Sequence, residues 1–182
     1  MSHGLRRHTS RFGLRWRPGD RLFTMKQSLK TGFSFGLTSG VITTLGLMVG
    51  LHAGTHSRLA VIGGIVTIAV ADALSDALGI HIAEESKNNG NVSEIWESTI
   101  TTFLAKFLIA LTFVVPVLLL PLEEAMTVSV GWGLTLLAVL SYLLARAQQI
   151  PAWKVIAEHL VIGVSVIAIT HSLGDWIHSQ LS

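Results

Sequence analysis

The stretch GGIVTIAVADALSDALGIHIAEES, residues 63–86, decides the fold. It is long, apolar and rich in alanine and glycine, yet it carries two carboxylates, Asp72 and Asp76, near its middle. A hydrophobic run of about 20 residues is the length that carries a helix across a bilayer, where every backbone polar group must be paired within the segment. Four-residue spacing puts Asp72 and Asp76 on one face of that helix, about one turn apart. Two like charges cannot share a low-dielectric region unless a proton, a cation or a basic side chain comes between them.

The rest of the chain agrees with a membrane setting. Of its 182 residues, 50% are hydrophobic and 13% are charged, with a mean hydropathy of +0.59. A soluble domain carries about 25% charged residues. The sequence predicts an all-α integral membrane protein with five transmembrane helices, near residues 33–54, 59–82, 99–120, 125–145 and 155–175. A basic segment, residues 1–30, precedes the five-helix domain, residues 31–182. The chain has no cysteine, which excludes disulfides and thiolate metal sites.

Eight of the thirteen lysines and arginines lie in the first thirty positions, between Arg6 and Lys30, opposed by Asp20. Directly before a hydrophobic span, such a segment reads as a cytoplasmic juxtamembrane anchor rather than a nucleic-acid tail. Trp16 among the arginines suits the headgroup layer. The first apolar run has no cleavage boundary and is read as a retained span. The positive-inside bias then puts the N-terminus in the cytoplasm and the C-terminus on the opposite side, in a plasma or inner membrane. Lys87, Arg146 and Lys154 fall inside; Glu123 and Glu124 fall outside, with Arg58 the exception. Trp153 and Trp176 sit near span ends as interfacial anchors.

In the first span, Gly32, Gly36 and Gly40 recur every four residues, as do Gly46, Gly50 and Gly54. Small residues at this spacing let another helix approach closely, as a fold core, a dimer seam or both. Ser39, Thr43 and Thr44 either bond back to carbonyls one turn earlier or face a hydrophilic pathway.

Asp72 and Asp76 offer hard oxygen donors suited to a divalent cation such as iron(II) or manganese(II), and can exchange it for protons. The structural alternative is Lys106 in the third span, placed to pair with Asp72, Asp76 or Glu158 as an internal lock. The polar connection 84–98, assigned to the cytoplasm, holds Glu84, Glu85, Glu94 and Glu97, a small entry patch for cations. Glu94 and Glu97 share a face if that connection turns helical, with Ser93 as its cap. His81 lies near the inner end of the second span, and His171 and Asp175 read as a pair at the outer interface. No phosphate-binding loop, nucleophile elbow or zinc-protease motif occurs, so the chain is read as a non-enzyme without a cofactor, a metal ion entering only as substrate.

The segments TSGVITTLGLMVGL, residues 38–51, and ADALSDALGIHIAEES, residues 71–86, resemble the vacuolar iron transporter family, and AEHLVIGVSVIAITHSLG, residues 157–174, resembles its final span. The resemblance implies a five-helix homodimer that exports iron(II) or manganese(II) from the cytosol by proton antiport, with the first spans lining a central path. This chain departs from the pattern at the site itself. Ser39 stands where members carry an acid, Asp76 replaces a methionine, Asp72 replaces a small residue, and Ile80 stands where many members carry an acid. The long cytosolic metal-binding region is missing. Oxygen donors thus replace a soft thioether, which loosens the preference for iron. A nontransporting homo-oligomeric scaffold, or a transporter of another cation, is the alternative reading.

Overall fold

The computed structural model describes residues 27–87 and 91–181. The anchor read into the basic start falls largely outside them. Six helices are present among the described residues: α1 (Gln27–Thr55), α2 (Arg58–Glu85), α3 (Val92–Thr112), α4 (Val114–Leu119), α5 (Leu122–Gln148) and α6 (Ala152–Leu181). The protein is all-α, and five segments are long and apolar enough to cross a membrane, α3 and α4 together forming the third.

The interruption in the third span has a local cause. Pro116 has no N–H to give to the carbonyl of Thr112, four residues back. The chain responds with a tight turn in which the Phe113 N–H reaches the Ala110 carbonyl at 3.1 Å. The Thr112 hydroxyl bonds back to the Ile109 carbonyl at 2.6 Å and receives the Trp132 indole N–H of α5 at 3.2 Å.

Each turn is closed by its own residues. After α1, His56 takes a left-handed conformation, φ 50°, and the Ser57 hydroxyl caps α2 by accepting the Ala60 N–H at 3.3 Å. Asn91 caps α3, its side chain accepting the Ser93 N–H at 3.3 Å. The expected cap, Ser93, already lies inside the first turn, with its hydroxyl 3.5 Å from a Glu97 oxygen. Residues 92–98 are therefore helix, and the polar connection expected over 84–98 shortens to residues 86–91. Gln149, φ 57°, ends α5, and the Ile150 N–H returns to the Ala145 carbonyl at 3.1 Å.

Helix α1 is the hub. It packs against α2, α3, α5 and α6, and it is the most enclosed span, whereas α6 is the least. Both glycine series are spent on this packing within one chain. A Cβ on Gly36 would lie 2.7 Å from the Thr102 carbonyl oxygen and 3.1 Å from the Ala105 Cβ; on Gly32 it would meet the Ser98 carbonyl oxygen at 2.5 Å. Gly32, Gly36 and Gly40 thus seat α3, while Gly46, Gly50 and Gly54 face Val166, Thr170 and Gly174 of α6. Apolar burial gives no driving force between helices in lipid, so this close backbone approach is a main source of their attraction. Val66, Val70, Leu74 and Leu78 of α2 point outward.

Candidate functional site

Asp72 stands at mid-helix in α2, ~20 Å along the axis from either end at 1.5 Å per residue, and Asp76 one turn further on, ~14 Å from the Glu85 end. Lys106 stands at an equivalent depth in α3, and its side chain is only 2% exposed. Because α3 lies tight against α1 and α2, the lysine has nowhere to snorkel. Its ammonium lies between both carboxylates, 2.6 Å from Asp72 Oδ2 and in direct contact with Asp76 Oδ2.

The two contacts differ in kind. Lys106 Nζ donates a hydrogen bond to Asp76 and another, 2.9 Å long, to the Ser39 hydroxyl, which in turn donates to Asp76 Oδ2 at 2.8 Å. Asp72 Oδ2 is enclosed and close to the ammonium, but its geometry makes it an ion pair without an aligned hydrogen bond. Asp76 is thus fixed by α1 and α3 together, and Asp72 is held more loosely. Their side chains are 21% and 25% exposed, so the cluster opens on the carboxylate side. Two formal negative charges face one positive charge.

Gly40, beside Ser39, makes this meeting possible: a Cβ there would come within 2.5 Å of Ile109 Cγ2 and 3.1 Å of Lys106 Cγ. The sequence showed Gly40 as one of a packing series, and its position next to Ser39 was the signal that it also serves the polar cluster.

The other candidate residues are distributed along the bundle. The Thr43 hydroxyl bonds back to the Ser39 carbonyl at 2.9 Å, whereas the buried Thr44 hydroxyl has no hydrogen-bond partner among the described residues. Glu84 pairs with Lys87 at 2.7 Å, Glu85 and Glu94 are exposed, and Glu97 is partly buried; all four lie at one end of the bundle, where α2 ends and α3 begins. His81 Nδ1 lies 3.0 Å from the Thr99 hydroxyl, with the ring edge-on to Trp96. Glu158 is exposed on α6, away from Lys106, whose partners are Asp72 and Asp76. His171 and Asp175 form an exposed pair at 3.0 Å.

At the other end of the bundle, His52, His56 and His178 form a chain of ring contacts that the sequence, reading each histidine alone, did not assemble. His52 Nε2 also lies 3.4 Å from a Glu123 oxygen. Among the described residues, no three histidine, aspartate or glutamate side chains stand together as a metal-binding group.

No protein-family model matches the chain, and no curated protein is significantly similar to it. What the fold and site define is a class: a multi-spanning membrane helical bundle, of a form consistent with a transporter, with a cluster of ionisable side chains at its mid-depth.

Proposed function

We propose that the protein moves cations across a membrane in exchange for protons, exporting a divalent metal such as iron(II) or manganese(II), with Asp72 and Asp76 as its ligands. The observation that carries this reading is the unequal cluster at mid-depth, two carboxylates against one ammonium. Ionisable groups are expensive at that depth, and a purely structural lock needs one acid for one base. The second acid is a place for a transported cation or proton. Oxygen donors from Asp72, Asp76 and Ser39 fit a hard or borderline divalent ion.

The resemblance to vacuolar iron transporters points the same way, and extends the proposal to a homodimer with a cytosolic N-terminus. Glu84, Glu85, Glu94 and Glu97 then form the entry patch. A second reading, a nontransporting scaffold, draws on the burial of Lys106 between its partners.

Metal-driven flux in proteoliposomes tests both. Manganese(II), iron(II), calcium(II) and magnesium(II) are compared across an imposed pH gradient, with a pH dye reporting proton movement. Coupled metal and proton movement is the expected result. Absence of flux for every cation, in protein that is folded and present in both orientations, leaves the scaffold.

A further inference from the structure

The rim where α1 turns into α2 is closed by three imidazoles. His52 lies in the last turn of α1, His56 in the connection that follows, and His178 near the end of α6. The rings of His52 and His56 stand 5.5 Å apart, centre to centre, and those of His56 and His178 stand 5.2 Å apart. His178 Nδ1 donates to the Gly54 carbonyl oxygen at 3.2 Å. His56 takes φ 50°, a conformation that glycine adopts with less strain, so this ring is kept in place against a backbone preference. The end of α6 has little burial to hold it. It belongs to the least enclosed of the five spans, and every residue after Gly174, through Leu181, is exposed.

We propose that this histidine chain is a proton-binding clasp, which holds the last turns of α6 against the α1–α2 turn while its rings are neutral and releases them when the rings are charged. Imidazole is the side chain whose charge ordinarily changes between about pH 5 and pH 8. His56 and His178 face each other ring to ring, so charging both sets two like charges 5.2 Å apart across the junction of the turn with α6. His52 Nδ1 is enclosed and has no hydrogen-bond partner among the described residues, while Nε2 lies 3.4 Å from Glu123 Oε2. A second N–H on that ring would be enclosed without an acceptor, a cost that outweighs an ion pair whose acid is 80% exposed. The charges around the clasp do not cancel this repulsion. Arg58 of α2 brings a fixed positive charge to the same rim, Glu123 and Glu124 of α5 are exposed, and Asp175 of α6 is paired with His171 one turn back. All of these groups belong to one chain, so the clasp closes between its own helices whether or not a second copy packs alongside. It is independent of what the protein transports.

Dipolar electron paramagnetic resonance on the full chain tests the clasp. Nitroxides at Leu59→Cys and Gln180→Cys, both exposed positions, report the separation of the α1–α2 turn from the end of α6. Labelled chain is diluted with unlabelled chain so that only couplings within one chain register, and a second pair, Lys87→Cys with Gln148→Cys, follows the opposite rim. Lowering the pH from about 8 to about 5 should reversibly lengthen and broaden the first distance and leave the second unchanged. His56→Asn and His178→Gln keep polar side chains that take no charge, and asparagine tolerates the left-handed backbone at 56. Each should reduce the shift, and together they should abolish it; if the double variant folds poorly, either single variant carries the comparison. An unchanged first distance in the chain carrying the labels alone, a shift that survives the histidine substitutions, or equal shifts at both rims overturns the clasp. Metal flux measured on the same preparations bears only on transport: absent flux with the shift intact removes the transport proposal and leaves this one standing.

Discussion

Lys106 holds three helices to one point, because its ammonium touches Ser39 of α1 and both aspartates of α2. Replacing it by methionine leaves two carboxylates one turn apart with no counter-charge. Removing one partner of a buried ion pair costs about 3–5 kcal/mol, and the partial exposure of both aspartates places this case toward the lower figure. Lys106→Met should therefore lower the melting temperature sharply. Adding Asp72→Asn and Asp76→Asn to it should restore most of the loss, since no uncompensated charge then remains. A triple variant as unstable as the single one would show that the lysine acts through packing. Taken singly, Asp72→Asn and Asp76→Asn each leave Lys106 one carboxylate, so flux should fall far more than stability; near-normal flux per folded protein in both would remove the pair from the mechanism. The pairing was readable in part. Spacing put both acids on one face, and an intramembrane lysine demands an acid, but Asp72, Asp76 and Glu158 were equal partners until helix adjacency was known. That adjacency depends on which glycine face of α1 receives α3, and a single repeat does not name its partner.

The helices themselves show where hydropathy stops being informative. Each span was located, yet most run several residues past the apolar run that revealed them, α3 starting at Val92 rather than near 99. Apolar content marks the part of a helix inside hydrocarbon, whereas the hydrogen-bond ladder continues until a cap ends it, here Asn91. The glycine series likewise announced close packing without saying what would pack. Their partners make one prediction specific. Gly36→Leu should drive α1 and α3 apart, because the added side chain starts 2.7 Å from the Thr102 carbonyl oxygen, whereas Gly79→Leu meets nothing within 4 Å and should leave thermal stability unchanged. Equal losses in the two variants would contradict the α1–α3 seam. A smaller, opposite effect is expected at the end of α5. Gln149 adopts φ 57° at an exposed position, a conformation that strains side chains by roughly 1–2 kcal/mol, so Gln149→Gly should raise the melting temperature slightly.

For the whole molecule, five crossings set the two ends of the bundle on opposite faces of the membrane, and the contacts at those ends show which loops share a side. Arg58 donates to the Leu120 carbonyl at 2.6 Å, His52 lies against Glu123, and His178 Nδ1 lies 3.2 Å from the Gly54 carbonyl oxygen, so the α1–α2 turn, the start of α5 and the end of α6 form one rim. Lys87, Arg146 and Lys154 belong to the other rim, with the start of α1. We propose from the imbalance of lysine and arginine that the second rim faces the cytoplasm. Because the chain has no cysteine, single substitutions report sidedness without further engineering. In intact cells, Thr55→Cys and Glu123→Cys should react with a membrane-impermeant maleimide, while Lys87→Cys and Gln148→Cys should react only after the membrane is opened. The reverse pattern would invert the protein, turn an exporter into an importer and place the glutamates of the entry patch at the exit. Mixed labelling within one rim would break the five-span topology itself. If the expected pattern holds, Lys87 and the glutamates around it face the cytosol, and the proposed transport starts from that side, with Glu84, Glu85, Glu94 and Glu97 at its entry.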